Sequence, residues 1–213
     1  MNPVKIRKSV YPVWLLTALA LFLGGCAAGP PANIDDVCSI FEERPEWYRE
    51  AKDSYLKWRV PIPTLMAIIH QESSFRATAR PPRKKILGFI PGPRPSTAFG
   101  YPQALDTTWD IYRQETGNRS ASRTRFGDAV DFVGWYCDRT NKRCGVSKRD
   151  PYKLYLAYHE GQGGYNHRTY RGKTWLLDTA ARVRDRSVVF GRQLARCREK
   201  LEPKPRKKFL GIF

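Results

Sequence analysis

Glu72 is the side chain of this sequence whose surroundings could make it an acid–base catalyst. It stands near the end of the run Pro63-Thr64-Leu65-Met66-Ala67-Ile68-Ile69-His70-Gln71-Glu72-Ser73-Ser74-Phe75, where a proline in the first turn followed by an apolar stretch predicts a helix. Leu65, Ile68, Ile69 and Glu72 fall at i, i+3, i+4 and i+7, so the carboxyl shares the apolar face of that helix. Desolvation there disfavours the ionised form and raises the pKa, the condition for a carboxyl that must hold a proton near neutral pH. The pattern alone fits equally a glutamate at a helix end that turns to water or pairs with an arginine.

Other chemistries lack their residues. His70, His159 and His167 form neither a His-Glu-x-x-His motif nor a paired metal spacing, so no metal is expected. No Cys-x-x-Cys pair, Gly-x-Ser-x-Gly elbow or phosphate-cradling loop is present, and no cofactor is expected. Gly161-Gln162-Gly163-Gly164 follows a helical stretch rather than leading a strand into a helix, which reads as helix termination beside a groove. Trp109, Tyr112, Trp135, Tyr136 and Tyr158 are the aromatics available for stacking on sugar rings, or for a core.

The elements that must position Glu72 read as helices. Residues 45–58 repeat Trp47, Tyr48, Ala51, Tyr55 and Trp58 at near-helical spacing, and residues 128–137 read as another helix. Asp150-Pro151 supplies a cap and a first-turn proline for a helix expected to stop at Gly161. Leu176, Ala180, Val183, Ser187, Phe190, Leu194, Cys197 and Leu201 mark a long core-facing helix. The fold class expected is mainly α, one helical domain over residues 35–202, with at most a small hairpin between Arg76 and Gly100. In that interval Arg83-Lys84-Lys85-Ile86-Leu87-Gly88-Phe89-Ile90 is echoed at the end of the chain, residues 203–213, by Arg206-Lys207-Lys208-Phe209-Leu210-Gly211-Ile212-Phe213. Cations leading into an apolar tip suit a membrane-surface or wall contact; a tip packed on the domain and a loosely ordered tail is the other reading.

The first residues give an address. Lys5, Arg7 and Lys8 precede an apolar run, residues 13–23, that is short for a membrane span of about 20 residues. Residues 1–25 therefore read as a signal peptide. Leu23-Gly24-Gly25-Cys26 is similar to the lipobox of bacterial lipoproteins, which makes Cys26 the expected lipidation site, residues 26–34 a lipidated linker and the membrane a partner through that lipid. Ala27 in place of an aspartate favours the outer membrane by resemblance to lipoprotein sorting rules. Cys38, Cys137, Cys144 and Cys197 remain as an even set in an oxidising compartment. The expected pairs are Cys137 with Cys144, around a turn at residues 138–143, and Cys38 with Cys197 near the two ends, though connectivity is not fixed by sequence.

The formal charge is +18, and removing residues 1–25 takes away Lys5, Arg7 and Lys8 with no acid, leaving about +15. Behind a lipobox the polyanions within reach are wall stem peptides, anionic wall polymers and lipid headgroups rather than nucleic acid, for which the sequence has no recognition motif.

Three separated motifs carry a family resemblance over roughly residues 55–170. Glu72-Ser73-Ser74-Phe75 resembles the Glu-Ser-x-Phe motif of the lysozyme-like lytic transglycosylases (SLT domain, family 1). Gly100-Tyr101-Pro102-Gln103 resembles their Gly-Leu-Met-Gln, and Ala157-Tyr158-His159-Glu160-Gly161 their Ala-Tyr-Asn-Ala-Gly. The resemblance implies a lysozyme-like fold and peptidoglycan glycan strands as substrate. It makes Glu72 the single catalytic acid and base, with Ser73 supporting the site, Gln103 binding an N-acetyl sugar and Tyr158 hydrogen-bonding near the carboxyl or the sugar. It implies cleavage between N-acetylmuramic acid and N-acetylglucosamine, leaving 1,6-anhydromuramic ends. Tyr101-Pro102 and His159-Glu160 depart from the family pattern, and His159 reads as a surface imidazole. Glu160 is a second carboxylate inside a motif, and glycoside hydrolysis uses two. A hydrolysing muramidase and a non-catalytic peptidoglycan-binding lipoprotein therefore stay open. Protein partners are not legible.

Overall fold

The computed structural model describes residues 29–83, 85–87 and 89–202. The leader, Cys26 and the tail at 203–213 lie outside the described residues. Among the described residues, seven helices carry one domain: α1 (Val37–Glu43), α2 (Pro45–Trp58), α3 (Ile62–Ser73), α4 (Asp106–Thr116), α5 (Phe126–Cys144), α6 (Pro151–Asn166) and α7 (Thr174–Leu201). Between α3 and α4, two-residue strands β1 (Lys85–Ile86) and β2 (Ile90–Pro91) form an antiparallel hairpin. The mainly α expectation holds.

α3 is the axis of the domain. Ile62, Leu65, Met66, Ala67, Ile68 and Ile69 are all buried, as expected of a helix apolar on every side. It packs chiefly on α7, with further contact to α5 and α2. α7 buries Leu176, Ala180, Val183, Ser187, Phe190, Leu194 and Cys197, the stripe read from sequence. Its Ser187 hydroxyl meets Thr64 of α3 at 3.2 Å, so the polar atoms in this seam satisfy each other. Asp36 caps α1 by accepting from the Cys38 amide at 3.0 Å, and a Cys38–Cys197 disulfide, Cα–Cα 6.0 Å, ties α1 to α7.

The expected Cys137–Cys144 pair is corrected. Residues 138–143 are not a turn: α5 runs unbroken through Cys144, and both thiols are free. Seven residues along a helix separate Cα atoms by about 10 Å, beyond the roughly 7 Å that a disulfide spans. The stop expected at Gly161 is a break rather than an end. Gly161 leaves helical geometry at φ 75°, ψ 159°, and helical turns resume to Asn166.

Candidate active site

Glu72 lies one residue from the end of α3, where the chain must stop sharply. Ser74 and Phe75 both adopt left-handed backbone conformations, φ 50° and 57°, and the Ser74 amide closes the last turn on the His70 carbonyl at 2.9 Å. Two non-glycine residues in this region are strained unless packing holds them. Phe75 supplies that packing: it is fully buried, 5.8 Å from the rings of both Trp47 and His70. Trp47 in turn stacks on Phe126 at 4.0 Å and meets Tyr101 edge-on at 5.6 Å. The motif phenylalanine thus anchors the helix end that aims Glu72. Ser73 is buried and its hydroxyl donates back to the Ile69 carbonyl at 3.1 Å, so that hydroxyl serves the helix.

The second motif is a turn clamped from two sides. Gly100 has φ 76°, its amide donates to Ala79, and a Cβ there would sit 2.3 Å from the Arg123 carbonyl, which leaves room for glycine alone. The Tyr101 amide donates to that same Arg123 carbonyl at 3.0 Å, while Tyr101 itself is core. Gln103 places its side-chain amide on the Ala79 and Gly100 carbonyls at 2.9 and 2.8 Å. Both donors of that amide are occupied, so Oε1 is the atom available to accept a hydrogen bond in the cleft.

Glu72, Gln103 and Tyr158 share the wall of one cleft of about 550 Å³, together with Pro81, Tyr136 and Glu160. Tyr158 donates to the Pro102 carbonyl at 2.6 Å, locking α6 to the Gly100 turn. The tyrosine at the carboxyl is Tyr155, one turn earlier on the same face of α6. Desolvation raises the Glu72 pKa to about 7, against the opposing hydrogen bond from Tyr155. Sequence reading missed Tyr155; its i, i+3 spacing from the motif tyrosine was the signal that could have found it. Of the five aromatics weighed as sugar platforms, Trp109, Tyr112 and Trp135 are core and Tyr136 and Tyr158 reach the cleft.

Glu160 is committed elsewhere. Lys173 bridges both of its oxygens at 2.8 Å, Thr169 donates to Oε2 and His159 sits 3.1 Å from Oε1. Desolvation would raise its pKa, but the hydrogen bonds from Lys173, Thr169 and His159 outweigh it and hold the carboxyl at about 2. His159 lines the cleft and packs edge-on against the exposed Trp175, ring centroids 5.0 Å apart.

The cleft therefore holds one carboxyl whose titration is raised to about 7, so that it exchanges its proton near neutrality, and one held ionised by its partners. Comparison with known proteins found no match among curated proteins or solved structures. The family described as Transglycosylase SLT domain matches residues 14–197, a span that includes all three motifs and every helix from α1 to α6. The chain belongs to the transglycosylase SLT-domain family, the lytic transglycosylases that act on peptidoglycan in the bacterial cell envelope.

Proposed function

We propose that this protein cleaves the β-1,4 bond between N-acetylmuramic acid and N-acetylglucosamine without water, with Glu72 as acid and then base. The observation that carries the reading is the division between the two carboxyls of the cleft: Glu72 pushed up to about 7, Glu160 held at about 2 by its partners. A protonated Glu72 donates to the departing glycosidic oxygen, and the positive centre at the muramic C1 is stabilised by the sugar's own N-acetyl group. The resulting Glu72 carboxylate takes the proton of the C6 hydroxyl as that oxygen bonds to C1. One bond breaks and one forms, Glu72 ends as it began, and the product carries a 1,6-anhydro ring. Hydrolysis by the two-carboxylate route would need a second carboxylate to activate water or attack C1. Glu160, saturated by Lys173 and Thr169, is a weak base with few free lone pairs.

In this reading Gln103 offers Oε1 to an N-acetyl N–H, Tyr155 orients the Glu72 carboxyl, and Tyr158 holds the cleft wall through Pro102. Cys26 is the lipid attachment site of an outer-membrane lipoprotein, residues 1–25 are its removed leader, and residues 35–202 work on the wall from that tether. Digestion of purified sacculi by the wild-type protein and by Glu72→Gln tests the reading. Anhydromuramic ends from the former and no release by the latter are expected; reducing muramic ends would mean hydrolysis, and no lysis by either would mean a binding protein.

A further inference from the structure

The loop between α3 and α4 has a feature that the cleavage chemistry does not use. Residues 76–100 contain Arg76, Arg80, Arg83, Lys84, Lys85 and Arg94 and no acidic residue. The hairpin in this loop pairs Lys85 with Pro91 and Ile86 with Ile90, and Leu87 and Phe89 stand at its tip. Leu87 is 78% exposed and Phe89 74%, the two most exposed large apolar side chains among the described residues. Leu87 takes a left-handed backbone conformation, φ 53°, which a branched residue rarely adopts. That strain falls at a tip whose two described apolar side chains are largely exposed.

The surroundings of the tip define what it fits. Arg83, Lys85 and Arg94 are exposed around the hairpin base. Arg94 donates to the Pro81 carbonyl at 2.8 Å and the Arg80 guanidinium lies 4.1 Å from the centre of the Phe99 ring, so both flanks of the loop are pinned. An apolar tip flanked by cations, in a loop whose sequence holds no acidic residue, matches the interface of an anionic bilayer: the tip enters the acyl boundary and the cations meet phosphates. A glycan strand is the poorer match, because the aliphatic Leu87 side chain has no face on which a sugar stacks.

We propose that the 85–91 hairpin docks on the surface of an anionic phospholipid bilayer, with Leu87 and Phe89 entering below the headgroups and Arg83, Lys85 and Arg94 contacting their phosphates. Pro81, Ser96 and Ala98, on the two flanks of the same loop, line the cleft of Glu72. Docking therefore fixes how the cleft stands relative to the lipid surface, whatever reaction the cleft performs.

The test places an environment-sensitive fluorescent amino acid at position 87 of the full chain, so that the signal reports the tip and not a membrane anchor elsewhere. On vesicles containing phosphatidylglycerol, the emission shifts to the blue and nitroxide-labelled lipids quench it; on pure phosphatidylcholine the response is several-fold weaker. Arg83→Glu combined with Lys85→Glu weakens binding to phosphatidylglycerol vesicles, read from the same signal, by roughly thirtyfold or more. A label that stays in water on both vesicles overturns the proposal. So does a label that responds to purified sacculi and not to vesicles, which would make the tip a wall contact.

Discussion

Tyr155 on α6 and Glu72 at the end of α3 stand as neighbours, and each group shifts the titration of the other. Desolvation raises Glu72 to about 7 while Tyr155 pulls it back; desolvation and the neighbouring Glu72 push the Tyr155 phenol far above its ordinary range. Tyr155 thus favours the ionised form of Glu72, the form that the second half of the proposed reaction needs. Tyr155→Phe removes the hydroxyl. The expected result is an alkaline limb of the rate profile displaced to higher pH together with a lower kcat, read from initial rates on soluble glycan strands across pH 5–9. An unmoved limb would separate Tyr155 from the acid.

The raised pKa of Glu72 also costs stability. Its folded pKa lies above the unfolded value, so between roughly 4.5 and 7 the folded state binds the extra proton and stability falls as pH rises through that window. A rise from 4.5 to about 7 corresponds to about 3 kcal/mol at full ionisation. Glu72→Gln removes this penalty. The variant is expected to melt higher than wild type at pH 8, with the difference shrinking towards zero by pH 4.5, in parallel thermal unfolding curves.

Glu160→Gln separates lyase from hydrolase by a different route. If Glu160 only holds Lys173, Thr169 and His159 in place, the variant keeps its anhydromuramic products and changes KM more than kcat. A carboxylate that served as nucleophile or base would take roughly 10²–10⁴-fold of the rate with it.

Gly100→Ala should be among the most damaging single-methyl changes in the protein. The new Cβ meets the Arg123 carbonyl at 2.3 Å, in a backbone conformation that suits glycine. The cost expected is about 2–4 kcal/mol in chemical denaturation, with activity lost further because Gln103 hangs from the same turn.

Long apolar periods were legible in the sequence because burial writes itself into residue type: the α7 stripe and the helix bearing Glu72 both follow from spacing. The Cys38–Cys197 tie joins α1 to α7, and its partners read as neighbours only because they flank the domain. Cys137 and Cys144 stand only seven residues apart, but the polar stretch between them, which in sequence resembles a turn, continues a helix. Phe75 read as part of a motif; that it anchors two strained residues depends on Trp47, Tyr101 and Phe126, which no local pattern links. Tyr155 escaped for a similar reason. Its role comes from the approach of α6 to the end of α3, a tertiary fact, while its neighbour Tyr158 carried the motif and turned out to bond Pro102.

The claim at the centre is that Glu72 moves one proton out and one proton back with no water entering the bond. Digesting sacculi in water enriched with oxygen-18 reads this directly. The account predicts muramic product ends with natural oxygen isotopes and a mass lower by one water than a hydrolysed end; oxygen-18 at the muramic C1 would contradict it.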